Sequence, residues 1–309
     1  MKEKEFINLI KNMLNSNYIG DDCAYLKELG IVITQDSLVE DVHFSTNFTT
    51  PYELGYKSVM VNLSDIYASG AEAKYLTISL SLPSHIETNF IKEFYTGAKE
   101  ACQNEVEIVG GDLTSGDKIF ISITAIGTDK NRMISSRADA KIGDKIIVSG
   151  EHGSSAGGLK LLQQNNRNNL KLLKAHLMPS AKKEFSKQIS TQIKRNYAMT
   201  DSSDGLIDAI SQIAQQSQKT MSLDFEKIPY NHDIKIFENY KDLIFYGGED
   251  YELVATVPEN FLKHLQDYTV IGEVQEKKDN VLVKINNDDK TEFLKQKDID
   301  DKLYQHFKG

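Results

Sequence analysis

The chain has 309 residues, 40% hydrophobic and 26% charged, which is typical of a globular protein large enough for two domains. A net charge of −9 and the lack of any basic block argue against a nucleic-acid-binding surface. Two widely separated cysteines, no amino-terminal apolar run and no stretch of about 20 apolar residues predict a cytoplasmic protein without signal peptide or membrane span.

Strands and helices alternate along the first part of the chain, which predicts a mixed α/β fold. Thr50 and Pro51 are a hydroxyl cap and a first-turn proline, so a helix is expected to begin there and to end near Gly70. The other elements predicted in this part are strands at 23–26, 30–35, 76–82, 106–109 and 119–123, and a helix at 87–103.

A second set of elements follows the polar, aperiodic segment 129–141, where we place a domain boundary that divides the chain into 1–137 and 138–309. Two further polar stretches, 163–174 and 277–302, are expected to form surface loops or a solvated hairpin. The elements predicted after the boundary are strands at 145–149, 198–201, 221–225 and 251–257, and helices beginning near Ser154, over 181–195 and over 206–214.

Five short acidic motifs place an aspartate beside a glycine or a hydroxyl residue at a predicted turn or element end. A single aspartate of this kind is more typical of a turn or a helix cap than of a catalytic site. Several that converge would need bound cations, and carboxylates with Mg²⁺ are suited to polyphosphates. The motifs are Gly20-Asp21-Asp22, Thr34-Gln35-Asp36, Asn62-Leu63-Ser64-Asp65, Gly110-Gly111-Asp112 and Asp201-Ser202-Ser203-Asp204-Gly205.

The last of these motifs also offers a phosphate site. Asp201 is predicted to end a strand and Asp204 to start the next helix, so both can face one cleft. The free N–H groups at that helix end, with the Ser203 hydroxyl, can bind a phosphate. The chain lacks the phosphate-binding loop, the dinucleotide fingerprint, the zinc-protease motif and the protein-kinase motifs, so nucleotide chemistry would use a less common scaffold.

Taken in order, the motifs resemble the thiamine-monophosphate kinases, a family of the AIR-synthase-like ATP-binding superfamily. The resemblance extends over the whole chain. The stretches that carry it are Gly20–Asp22, Thr34–Phe44, Val61–Asp65, Val109–Asp112, Asp201–Leu206, Gly247–Leu253 and Tyr304–Phe307.

The resemblance implies a role for individual residues. Asp36, Asp112 and Asp204 would act in catalysis through bound metals, and His43, Glu249 and Tyr304 would hold the acceptor. Gly111, Asp112, Arg137 and Ser203 would contact ATP. The Mg²⁺ ligands would be Asp22, Thr34, Gln35, Asp36, Asp65, Asp112, Asp201 and Asp204, with Gln35 standing where the family usually has a hydroxyl residue and contributing its amide or its backbone carbonyl.

The resemblance also implies an activity and an assembly. Several Mg²⁺ ions and ATP would phosphorylate thiamine monophosphate to thiamine diphosphate by direct in-line transfer, with no general base, because the acceptor phosphate is already ionised. The strands of the amino-terminal domain would form a homodimer interface, and a carboxy-terminal α/β domain would complete the fold. Two alternatives stay open: another ATP-dependent enzyme of the superfamily, or a regulatory protein that binds Mg²⁺-nucleotide without turnover.

Overall fold

The computed structural model describes residues 3–287 and 290–304, which form two mixed sheets with flanking helices. The predicted mixed α/β fold is confirmed. The first sheet has the order β1-β2-β5-β3-β4, in which only the β3–β4 pair is parallel. Its strands are β1 (Ala24–Leu26), β2 (Ile31–Val39), β3 (Glu72–Leu82), β4 (Glu107–Ser115) and β5 (Phe120–Thr128), and the helices of this half are α1 (Glu3–Leu14), α2 (Pro51–Ala68) and α3 (Thr88–Ala101).

The second sheet has the order β12-β11-β8-β10-β6-β9-β7, in which only the β11–β8 pair is parallel. Its strands are β6 (Lys145–Val148), β7 (Ala198–Asp201), β8 (Thr220–Asp224), β9 (Leu253–Val257), β10 (Thr269–Gln275), β11 (Val283–Asn287) and β12 (Lys290–Leu294). The helices of this half are α4 (Ser154–Gln163), α5 (Leu170–Leu177), α6 (Lys183–Gln192), α7 (Leu206–Ser217), α8 (Tyr240–Tyr246) and α9 (Gln296–Asp300).

Helix α2 lies in the centre of the molecule and is buried over most of its length. It begins as the sequence predicted, with Pro51 in the first turn and a capping box between Thr50 and Glu53. Two glycines bring it against α3: a Cβ on Gly55 would lie 1.9 Å from the Phe94 carbonyl oxygen, and one on Gly97 would lie 2.0 Å from that of Tyr52. The two backbones therefore touch, and α2 is held in one position.

One apolar core joins the two halves of the chain. Inward-facing side chains of the first sheet, such as Ile78 and Ile123, belong to the same buried cluster as Met199, Leu253 and Ala255 of the second sheet. A second cluster lies on the other face of the second sheet, under α4, α5 and α7. Because α2 packs between the sheets, polar residues on it can reach both halves.

The structure differs from the sequence prediction in several places, one of which is β2, which continues through Asp36 to Val39 instead of ending at residue 35. Strand β4 continues through Gly110-Gly111-Asp112 to Ser115, whereas the sequence placed this motif after the strand. Its partner β3 pairs with it through the motif and as far as Ser115, and these backbone hydrogen bonds outweigh the low strand propensity of glycine. Part of the polar stretch 163–174 forms α5, because Leu172, Leu173 and Leu177 bury one face. The helices α1, α8 and α9 and the strand β10 were not predicted.

The second polar stretch contains the solvated hairpin that the sequence allowed. Strands β11 and β12 pair antiparallel, and β12 is exposed over most of its length. Within the residues described, no helix is both long enough and apolar enough to cross a membrane.

Candidate active site

Three carboxylates from distant parts of the chain meet where the two halves join. Asp22 lies in the turn before β1, Asp65 in the last turn of α2, and Asp201 at the end of β7. One oxygen atom of each lies within 4.8 Å of the others, which is close enough for a shared metal ion. With Asp36 of β2, which interacts electrostatically with Asp22 and Asp65, they form what we call the acidic cluster.

Short hydrogen bonds from neighbouring hydroxyl groups fix the orientation of these carboxylates. Thr34 Oγ1 donates to Asp65 Oδ2 at 2.6 Å, and Ser64 Oγ donates to Asp201 Oδ2 at 2.6 Å. The backbone N–H of Asp36 donates to Asn62 Oδ1 at 3.0 Å, which ties β2 to α2. The cluster is therefore held in place by the protein itself.

The charges of the acidic cluster oppose one another. Burial, and then the charge of Asp22, raises the pKa of Asp36 to about 6. The same two causes raise the pKa of Asp201 to about 7. Burial, followed by Asp36, Asp201 and Asp22, raises the pKa of Asp65 well above its usual range. Ionised carboxylates at these positions are stabilised by added positive charge.

Arg137 brings one positive charge to the four carboxylates. Its Nη2 donates to Asp22 Oδ1 at 2.6 Å, its Nε to Thr200 Oγ1 at 3.1 Å, and its Nη1 to the Gly20 carbonyl at 3.2 Å. Burial, the largest single effect, lowers the pKa of the guanidinium, but Asp22, Asp201 and Asp21 together outweigh burial and raise it. One guanidinium does not balance the charge of four ionised carboxylates. Divalent cations can supply the missing positive charge, because carboxylate oxygens are their preferred ligands.

The turn after β7 brings Ser203 and Asp204 to the surface beside this cluster. Helix α7 begins at Leu206, and Gly205 before it adopts a positive φ of 102°, so Asp204, which was expected to start this helix, lies in the turn that precedes it. The Ser203 carbonyl accepts a 2.6 Å hydrogen bond from the Glu249 N–H, which joins this turn to the Gly247–Asp250 turn.

A second group of polar side chains surrounds Glu249 in the Gly247–Asp250 turn. It consists of Lys57, His176 and Glu249, and we call it the Glu249 cluster. Lys57 of α2 lies 3.0 and 3.1 Å from the two carboxylate oxygens of Glu249. His176 Nδ1 lies 3.3 Å from Glu249 Oε2. Burial alone would raise the pKa of Glu249, but Lys57, then His176 and also His43, lower it. His43, in the turn after β2, is therefore close enough to Glu249 to interact with it electrostatically.

Several residues named by the sequence lie apart from the acidic cluster. Gln35 points to the opposite face of the first sheet from Thr34, where its Oε1 accepts a hydrogen bond from Thr124. Across the first sheet, Gly111 of β4 pairs with Ile78 of β3, which pairs with Ile123 of β5, and Ile123 pairs in turn with Asp36 of β2. Three interstrand spacings, about 14 Å in all, therefore separate β4 from β2.

The carboxy-terminal segment is only partly described. Tyr304 is 63% exposed at the end of the described chain. The rest of the aromatic segment, residues 305–307, lies outside the described residues.

Sequence reasoning missed Lys57 altogether, and it named Asn62 and Ser64 only as part of an acidic motif and not as members of the site; all three lie on α2. They are buried at 1% exposure or less, in a helix whose other buried positions are mostly apolar. A lysine among so many apolar residues was a signal visible in the sequence, because an amphipathic helix would place lysine on the solvent side. His176 and Thr200 carried no comparable signal.

The chain matches two family models and shows extensive similarity to proteins of one family. The model of the AIR synthase related protein N-terminal domain matches residues 20–128, and that of the C-terminal domain matches residues 141–285. Thiamine-monophosphate kinase of Aquifex aeolicus is 36% identical over 282 residues, which cover 87% of this chain and 90% of that protein. The chain belongs to the thiamine-monophosphate kinase family.

Two further comparisons agree with this membership. Thiamine-monophosphate kinase of Bacillus subtilis is 34% identical, over 94% of this chain and 93% of its own length. A solved structure of AaThiL complexed with AMPPCP and TMP has a TM-score of 0.86 and 33% identity, and covers 99% of this chain and 97% of that one.

The family and the fold of the sequence prediction are thus confirmed: two AIR-synthase-like domains in a member of a phosphotransferase family. The division of the chain at residue 137 stays a prediction, as do the individual roles of the site residues.

Proposed function

We propose that this chain phosphorylates thiamine monophosphate with ATP and Mg²⁺ and releases thiamine diphosphate, a step of thiamine diphosphate biosynthesis. The observation that carries the proposal is the meeting of Asp22, Asp65 and Asp201 from both halves of the chain. The kinases named among the relatives, and the AaThiL structure with AMPPCP and TMP, support the choice of co-substrate and acceptor.

The acidic cluster fits Mg²⁺ because it offers carboxylate oxygens, with raised pKa values, at a spacing that one ion can bridge. When bound, Mg²⁺ would neutralise charge on both phosphate groups. Asp22, Asp36, Asp65 and Asp201 would hold it, and Thr34 would keep Asp65 oriented through its 2.6 Å hydrogen bond. Asp204, exposed in the adjacent turn, would extend this set of ligands.

Arg137 and Ser203 would bind the phosphates of ATP. Arg137 is fixed between Asp22, Thr200 and Gly20, so its guanidinium is positioned without the nucleotide. The acceptor would enter from the side of His43 and Glu249, which would place its phosphate between them and the acidic cluster. In-line transfer then requires no general base, because the attacking oxygen is already deprotonated at neutral pH.

We also propose a homodimer in which β4 of one subunit completes the site of the other. Strands β3, β4 and β5 leave four large apolar side chains exposed: Tyr75, Val109, Leu113 and Phe120. A second copy would bury them. Gly111 and Asp112 are about 14 Å from β2 in their own subunit, so a role at the phosphates is more easily served across the interface.

The test is incubation of the purified protein with ATP, Mg²⁺ and thiamine monophosphate, with chromatography for thiamine diphosphate and ADP. We expect both products in equal amounts, and none when EDTA replaces Mg²⁺. ADP without thiamine diphosphate would point to another acceptor, as in other enzymes of the superfamily. Nucleotide binding without either product would favour a regulatory protein.

A further inference from the structure

Lys57 stands out among the charged residues of the described chain because it is 1% exposed and lies on the central helix α2. Both of its close contacts are to Glu249, 192 residues further along the chain. Burying an ammonium group is costly, and an apolar pair of similar size is often as stable as a buried ion pair. The position of this lysine therefore calls for an explanation beyond stability.

Glu249 is restrained from three sides but is not enclosed. Lys57 contacts both carboxylate oxygens, His176 Nδ1 lies 3.3 Å from Oε2, and the Glu249 N–H donates to the Ser203 carbonyl. Its backbone adopts a positive φ of 65°, which is uncommon for a glutamate and is typical of residues held for function. The side chain remains 25% exposed, so a ligand can reach it from solvent.

His176 supplies an uncharged hydrogen-bonding group on the buried side. It is 3% exposed, and Ser155 Oγ lies 3.1 Å from its Nδ1. Burial, followed by the charge of Lys57, lowers the pKa of His176 to about 3, so the ring is neutral. A neutral imidazole can lie against Glu249 without adding a second positive charge to that of Lys57, so the carboxylate keeps its capacity to accept hydrogen bonds from a ligand.

We propose that Lys57 and His176 are positioning residues that hold Glu249 as a fixed, anionic acceptor for the organic part of the phosphoryl acceptor. This rests on the proposed function. The organic part of thiamine monophosphate has the matching chemistry, since it carries a thiazolium cation and an aminopyrimidine N–H₂ group. The phosphate end would be left to the acidic cluster, so the two clusters divide the recognition of one molecule between them.

The decisive variant is Lys57→Met, which keeps an unbranched side chain one heavy atom shorter than that of lysine and removes the charge. Calorimetry with thiamine monophosphate should show binding weakened roughly tenfold or more, because Glu249 loses its restraint, while AMPPCP binding changes less than about twofold. The matched control is Lys182→Met. It breaks the similar Lys182–Glu252 pair, 2.8 Å long, whose glutamate is three residues from Glu249, and it should leave both affinities unchanged.

A double-mutant cycle separates positioning from general packing. In a Glu249→Gln background, Lys57→Met should weaken thiamine monophosphate binding no further, because Lys57 acts through Glu249. Two independent, additive losses would overturn the proposal. So would an unchanged affinity for thiamine monophosphate in Lys57→Met, or an equal loss of AMPPCP affinity.

A second position keeps the proposal testable if Lys57→Met does not fold. His176→Leu should weaken thiamine monophosphate binding, whereas His176→Asn, which keeps a hydrogen-bonding group near Nδ1, should retain most of it. Equal losses in these two variants would contradict the proposal. Wild-type protein that binds thiamine monophosphate without turnover would refute the proposed function alone, whereas wild-type protein that does not bind it would refute both.

Discussion

The acidic cluster and the Glu249 cluster each include one residue of helix α2, Asp65 and Lys57, and they differ in how the negative charge of their carboxylates is balanced. Asp65 and Lys57 are separated by about 12 Å of α2. In the acidic cluster four carboxylates share one guanidinium, and the pKa values of Asp36, Asp65 and Asp201 are raised. In the Glu249 cluster one carboxylate has an ammonium and a neutral imidazole, and its pKa is lowered. The first therefore requires cations from solution, whereas in the second the carboxylate already has a cationic partner in the protein.

The largest expected effect comes from removing one charge from the acidic cluster. Asp201→Asn should lower kcat by roughly 10³-fold, because a metal ligand at the phosphates is lost. In EDTA the same variant should melt at a higher temperature than the wild type, since a buried repulsion is relieved. Activity assays and thermal melts check the two effects.

Glu249→Gln is the counterpart in the other cluster. It should melt at a lower temperature in EDTA, because Lys57 is left buried without a charged partner. Melting shifts of the same sign in the two variants would contradict the contrast between the clusters.

The next effect tests whether β4 acts across a dimer interface. Asp112→Asn and Asp204→Asn should each reduce activity by roughly 100-fold or more with the fold intact, because each removes a proposed metal contact. If Asp112 serves the partner's site, subunits of the two variants mixed after unfolding and refolding should recover about a quarter of wild-type activity. Gross unfolding of either variant, seen by circular dichroism, would count against its proposed role, and a mixture as inactive as its components would place Asp112 in its own subunit's site.

A smaller effect is expected where α2 meets α3, away from both clusters. Gly97→Ala would place a Cβ about 2 Å from the Tyr52 carbonyl oxygen, so the helices must separate. We expect the free energy of unfolding to fall by about 2 kcal/mol or more. Activity and thiamine monophosphate affinity should fall together, because α2 carries both clusters. Thr96→Ala, at the exposed neighbouring position, is the control and should change stability by less than about 0.5 kcal/mol.

The smallest effect is a pH dependence specific to the acidic cluster. Asp201 has a pKa of about 7, against about 3.9 in an unfolded chain, so between these values the folded protein binds the extra proton. Its ionised form therefore destabilises the metal-free fold progressively as pH rises from about 4 to about 7, and the loss is complete above that pH. The melting advantage of Asp201→Asn over the wild type in EDTA should shrink by a few degrees from pH 7.5 to 5.5.

The difference between the two proteins is the quantity to follow, since it removes other titrations. Buried His152 and His176, whose pKa values are lowered to about 3, act in the opposite direction in both proteins. A melting advantage of Asp201→Asn that stays constant over this pH range would show that the raised pKa of Asp201 is not the cause of the repulsion.

Much of the fold followed from local signals. The start of α2 could be read from Thr50 and Pro51, and the strand that ends at Asp201 from the apolar run before it. The first residues of β4 were predicted as a strand, but its continuation to Ser115 could not be read in this way. Its glycines argue against a strand, and only pairing with β3 keeps Gly110-Gly111-Asp112 extended.

By itself the sequence determined which aspartate motifs the chain carries, in an order that resembles one kinase family, but it placed Asp36 and Asp112 at strand ends although both lie within strands. The tertiary structure decided which aspartates share an ion site and which lysine and histidine hold Glu249. The physical reason is that capping, turns and periodicity depend on residues a few positions apart. The distance between Asp22 and Asp201, or between Lys57 and Glu249, instead depends on how two sheets pack around α2.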